Sequence, residues 1–147
     1  MSDYNEDHYE QTLIQLFTER LGYDYLNGYD IQCTFTEKDY YCPLYRDRLM
    51  IMLKQLKPKL PQSALEEAER KLLHIEAGNM VQNNEQFMDY LQHGIEVTFH
   101  DGKELRNDIV YLADYRDVAK NDFLLVNQWT YVEKSKKRAD LILFQKV

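Results

Sequence analysis

Asp140 lies in the run Arg138-Ala139-Asp140-Leu141-Ile142-Leu143-Phe144, a carboxylate between a cationic stretch and an apolar strand. At the mouth of such a strand an acid can face a shared cleft while its neighbours pack inward. Hydrolysis of a phosphodiester uses carboxylates to hold Mg²⁺, which polarises the phosphoryl oxygen and acidifies a bound water. One aspartate does not suffice, and an ordinary residue at the start of a strand would look the same. Glu10 is the second acid that stands out. It precedes Ile14 by four residues, Phe17 by seven and Leu21 by eleven, which puts it on or beside the inward stripe of a helix. A buried carboxylate there must be hydrogen-bonded, paired or metal-bound; at the edge of the stripe it would simply reach water.

Lys134, Lys136, Lys137 and Arg138 are the one dense basic cluster and adjoin Asp140. They are suited to a phosphate backbone, and equally to keeping a hairpin turn solvated. Asp114, Asp117 and Asp122 share no fixed direction and read as solvent residues. The histidines at 8, 74, 93 and 100 form no metal-ligand pair, and Cys33 and Cys42 have no partner at zinc-site spacing, so free thiols are expected. Gly102-Lys103 lacks the flanking residues of a Walker A loop.

The elements that must carry these residues follow from periodicity. Leu13, Ile14, Leu16, Phe17 and Leu21 predict a helix over about Tyr4 to Leu21, with Gly22 as its C-cap. Residues 23–45 read as a long connection with a short strand around Ile31 to Phe35. A second helix is expected over Tyr45 to Leu56, stopped by Lys57-Pro58. A third starts at Pro61 or Ser63, where Ser63 and Glu66 have capping-box spacing, and a fourth starts near Asn83 or Asn84 and ends before Gly94. The period then falls to two: strands are expected from Ile95, over Ile109 to Tyr115, over Phe123 to Val132 and over Asp140 to Phe144, with charged turn 133–137 between the last two. Helices followed by strands indicate α/β or α+β packing, helices covering a mostly antiparallel sheet.

A chain of 147 residues with 44% apolar and 29% charged residues is the size and composition of one globular domain. Its 12 tyrosines suit half-buried surfaces, at the edge of a core or against partners. The net charge of −7 argues against general attraction to nucleic acid, so any phosphate contact is local. No signal segment or membrane-length apolar run is present, and a cytoplasmic location without membrane association is expected.

Several segments together resemble the amino-terminal nuclease region of the restriction subunit of type I restriction-modification enzymes. These are Glu10-Gln-Thr-Leu-Ile with Leu21-Gly22-Tyr23, Tyr45-Arg-Asp-Arg-Leu49 with Leu56-Lys-Pro58, and Leu60-Pro61 with Glu67-Ala68. Asn83-Asn84-Glu-Gln-Phe87, Leu91-Gln-His-Gly94-Ile-Glu-Val, Asn121-Asp-Phe-Leu-Leu-Val-Asn127-Gln128-Trp129-Thr130 and Arg138-Ala139-Asp140-Leu-Ile-Leu-Phe144 follow in the same order. The resemblance implies a restriction-endonuclease-like PD-(D/E)xK fold, with helices on a mostly antiparallel or mixed sheet. It implies an Mg²⁺-dependent type I deoxyribonuclease acting on double-stranded DNA, within a longer subunit whose separate motor uses ATP to translocate DNA. Modification and specificity subunits are the implied partners. Asp140 corresponds to the first metal-binding aspartate, and Glu10 to the helix glutamate that helps to complete the cation site.

Two departures shape the expectation. Ala139 stands where the family usually has proline. After Phe144 the family continues into a strand with a carboxylate-x-lysine triplet, whereas Gln145, Lys146 and Val147 follow here, and Lys146 comes too soon after Asp140 to be that lysine. Residues 1–147 are therefore read as one truncated endonuclease domain, incomplete at its C-terminus and inactive alone. The alternatives are a non-catalytic module of the same fold that docks DNA or subunits, and a purely structural domain.

Overall fold

The first helix shows how local chemistry departs from simple periodicity. α1 (Glu6–Gln15) runs into a π-helical turn, Leu16–Arg20. The Thr18 hydroxyl donates to the Ile14 carbonyl at 2.8 Å, and the Leu21 N–H reaches the Leu16 carbonyl at 3.3 Å. Such back-bonding and widening shift the phase of the apolar stripe. Only Ile14 of the α1 stripe is buried, while Leu13, Leu16 and Leu21 are exposed. Gly22, at φ +72°, closes the helix, with the Tyr23 N–H bonded to the Phe17 carbonyl at 2.9 Å. This is the expected glycine cap.

This computed structural model describes residues 5–42 and 44–145. Tyr4, the expected first residue of the helix, and Lys146 lie outside that set. The chain divides into two compact units, one of residues up to Tyr45 with those from Asp122 onward, the other of Arg46–Asn121.

In the first unit β1 (Asp24–Asn27) leads directly into the short helix α2 (Gly28–Gln32), and a 3₁₀ turn follows at Glu37–Tyr41. The strand expected around Ile31 to Phe35 is thus helix and turn, and the strand lies earlier. Asn27 explains the switch, because its side chain accepts from the Tyr29 N–H at 2.9 Å and caps α2. β4 (Phe123–Val132) and β5 (Lys136–Gln145) form an antiparallel hairpin, and β1 pairs with β4 in parallel. The sheet order β1-β4-β5 is therefore mixed. Leu124, Val126 and Trp129 form the buried centre, packed by Ile31, Phe35, Tyr45, Ile142 and Phe144.

In the second unit α3 (Arg46–Leu56), α4 (Gln62–Leu73) and α5 (Met80–His93) precede the antiparallel pair β2 (Ile95–His100) and β3 (Leu105–Val110). Leu53, Ala64, Leu65, Ala68, Ile95, Val97 and Val110 are fully buried. Pro61 occupies the N-cap of α4 without a side-chain cap, so the Ser63 box does not form. α5 begins earlier than expected because Asn79, not Asn83, caps it, accepting from the Gln82 N–H at 2.9 Å. β3 likewise begins earlier, since Asp101 closes a short turn by accepting from the Lys103 and Glu104 N–H groups, both at 3.0 Å. Among the described residues, no helix is long and apolar enough to cross a membrane.

Candidate functional site

Glu10 is held by two neutral amides. Asn127 Nδ2 donates to its Oε1 at 2.9 Å and Gln128 Nε2 to its Oε2 at 3.0 Å. Both donors come from β4, more than a hundred residues along the chain. Asn127 is itself buried, and its Oδ1 accepts from the Gly28 N–H at 3.2 Å. Gly28 must be glycine here: a Cβ would stand 2.2 Å from the Asn127 carbonyl oxygen and 2.7 Å from that of Gln128. The close approach of the β1–α2 junction to β4 thus depends on a missing side chain.

Gln128 is the one non-glycine residue with positive φ among those described, at +50°. Left-handed backbone is rare for a side chain of this kind and marks local strain. The β4–β5 ladder shows its effect. Asn127 pairs with Leu141 and Trp129 with Ala139, so Gln128 and Asp140 stand opposite each other while neither joins the pairing. Asp140 is exposed and lies within β5, not at its mouth, because the strand starts at Lys136. Gln128 bonds Glu10 with its side chain and lies opposite Asp140 in the register of the ladder. Burial, then the negative charge of Glu10, raise the Tyr25 hydroxyl above its ordinary pKa of 10.0. Tyr25 therefore keeps its proton through the physiological range.

The basic cluster is distributed along the hairpin. Arg138 Nη1 donates to the Tyr29 hydroxyl at 2.9 Å, Lys136 Nζ lies 5.9 Å from the centre of the Tyr40 ring, and Lys137 pairs with Glu133 at 3.7 Å. Lys134 is exposed in the turn. Strand alternation puts Lys136, Arg138 and Asp140 in phase with Ile142 and Phe144. Asp114 is a loop organiser: it accepts from the Asp117 N–H at 2.8 Å and the Arg116 N–H at 3.0 Å, which hold its carboxyl below the usual range. Among the described residues, no group of three or more His, Cys, Asp or Glu is placed to hold a metal. Mg²⁺ characteristically takes one or two carboxylates with waters and substrate phosphates, and a carboxylate is the donor type that Glu10 and Asp140 each carry.

Sequence reasoning passed over Asn127, Gln128, Tyr25 and Gly28 as site residues. The signal was present in β4, where two amides interrupt the otherwise apolar run Phe123 to Trp129. Buried amides require partners, and a lone helix carboxylate is the complementary one.

A mixed α/β chain with helices first, carrying an acid-and-amide site on its sheet, is the class that the fold and site define. Residues 3–146 match the family described as type I restriction enzyme R protein N terminus, and the chain belongs to that family. It is 28% identical over 127 residues to the type I restriction enzyme HindI endonuclease subunit of Haemophilus influenzae, covering 84% of this chain and 12% of that protein. It is 24% identical over 145 residues to the "Putative type I restriction enzyme MjaIXP endonuclease subunit" of Methanocaldococcus jannaschii, covering 95% of this chain and 14% of that protein. The chain thus spans about one-eighth of the length of these relatives. No solved structure matches it.

Proposed function

We propose that this chain is the DNA-cleaving region of a type I restriction R subunit, a PD-(D/E)xK-class nuclease in which Glu10 and Asp140 hold Mg²⁺. The observation that carries the reading is the placement of Gln128, bonded to Glu10 and opposite Asp140 in the register of the β4–β5 ladder. Bound Mg²⁺ would polarise the phosphodiester and acidify the attacking water. The chain's own groups would do the positioning: the amides orient Glu10, and Lys134, Lys136, Lys137 and Arg138 meet the DNA backbone locally. Modification and specificity subunits are the proposed partners, and ATP serves a motor elsewhere in the R subunit.

The test is a full-length R subunit carrying this sequence, assembled with its modification and specificity subunits. Asp140→Asn should abolish Mg²⁺-dependent cutting of double-stranded DNA while DNA-stimulated ATP hydrolysis persists. Retained cutting would refute the assignment of Asp140 and favour a docking role for this region.

A further inference from the structure

We infer that Gln128, at the ladder position opposite Asp140, is a positioning residue of the cation centre: with Asn127 it forms an amide clamp that fixes the Glu10 carboxylate. This rests on the reading in which Glu10 and Asp140 hold the cation. Each carboxylate oxygen of Glu10 accepts one amide N–H, at 2.9 and 3.0 Å, which sets the plane of the group and leaves lone pairs on both oxygens. Neutral amides suit this task better than Lys or Arg. A cation in their place would neutralise Glu10 and repel a metal ion, whereas an amide orients the carboxylate and leaves its charge intact. The clamp is anchored on one side by Asn127, whose side-chain Oδ1 accepts from the Gly28 N–H in a buried setting. On the other side it depends on the left-handed backbone of Gln128. That conformation would be easier for glycine or asparagine, so its occurrence at a long amide points to what the side chain holds. It also coincides with the missing pair in the ladder, the one opposite Asp140.

The experiment uses the isotope-labelled chain titrated with Mn²⁺, read as paramagnetic broadening of backbone amide signals, which detects weak binding and needs no catalysis. Gln128→Gly removes the amide and relieves the backbone; Gln128→Asn, which also tolerates left-handed φ but is one methylene shorter, serves if the glycine variant does not fold. In the unaltered chain broadening should centre on residues near Glu10, Gln128 and Asp140. Either variant should weaken it by roughly 10-fold, the usual cost of losing a group that orients a ligand. On a Glu10→Gln background the same change should have no further effect, because the group being positioned is gone. Unchanged Mn²⁺ binding in the Gln128 variants would overturn the inference. An equal further loss on the Glu10→Gln background would do so too, since it would make Gln128 merely structural. No localised broadening in the unaltered chain, or broadening that survives Asp140→Asn, would instead overturn the cation-site reading itself.

Discussion

The two units solve the problem of buried polarity in opposite ways. In Arg46–Asn121 the core is aliphatic, and its buried acid, Glu69, is matched by a charge: Arg46 Nε lies 2.7 Å from Glu69 Oε1. In the other unit the buried polar residues are neutral amides, Gln32 and Asn127, each reaching across the sequence to another element. An ion pair satisfies itself and leaves no charge to use. The amides that hold Glu10 bond its two oxygens without bringing a charge of their own. The difference suggests that the helical unit is built for packing and the sheet unit for holding a charged group in place.

The largest effects should come from the aliphatic core. Leu65 is fully buried, and Leu65→Ala should cost about 2–5 kcal/mol in urea unfolding. A loss below about 1 kcal/mol would mean that the site collapses freely, and that the contrast with the sheet unit is overstated. Gly28→Ala tests the other side of the comparison. The added carbon meets backbone carbonyls, which cannot rotate away, so a loss of about 1–3 kcal/mol is expected. The same change at Gly22, where nothing lies within 4 Å, meets only the penalty of positive φ and should cost about 1 kcal/mol.

Gln32 gives the next step down. Its Nε2 donates to the Thr130 carbonyl at 2.6 Å, and its Oε1 accepts from the Thr130 N–H at 2.8 Å. Gln32→Ala leaves both groups without this partner, and about 1–3 kcal/mol should be lost, with faster hydrogen exchange at Thr130. Unchanged exchange there would show that water replaces the side chain without penalty.

These residues also show what could be read in advance. The α3, α4 and α5 helices, the β4–β5 hairpin and the cap at Gly22 follow from period and punctuation, which are local. Asp140 and Glu10 were legible as acids in unusual places. The hold on Glu10 was not, because it comes from Asn127 and Gln128 of β4, brought to it by the fold. No spacing within one segment encodes a contact between residue 10 and residue 128. The early strand at Asp24 was missed for a related reason: a four-residue strand carries too few alternations to be seen, and its parallel pairing with β4 is a tertiary fact.

The smallest effect concerns acid. Asp101, Asp108 and Asp114 of the helical unit are held below their ordinary value of 3.8, chiefly by backbone N–H groups: Glu104 and Lys103 at the first, Ile109 at the second, Asp117 and Arg116 at the third. At Glu67 burial pushes the other way but is outweighed by the Thr98 N–H and Lys71. A carboxylate with a depressed folded pKa stabilises the native state above its unfolded pKa, and that stabilisation is lost as pH falls through the folded value. The helical unit should therefore weaken from about pH 4.5 downward, with the β2–β3 turn at Asp101 and the loop at Asp114 losing amide protection first. Asp114→Asn removes the titrating group but keeps an acceptor oxygen, so it should flatten the acid limb of its loop while leaving exchange near neutral pH little altered. An unchanged acid limb in that variant would place the pH response elsewhere. It would also remove the electrostatic half of the contrast between a unit whose carboxylates serve its own turns and one whose carboxylate is held by amides from a distant strand.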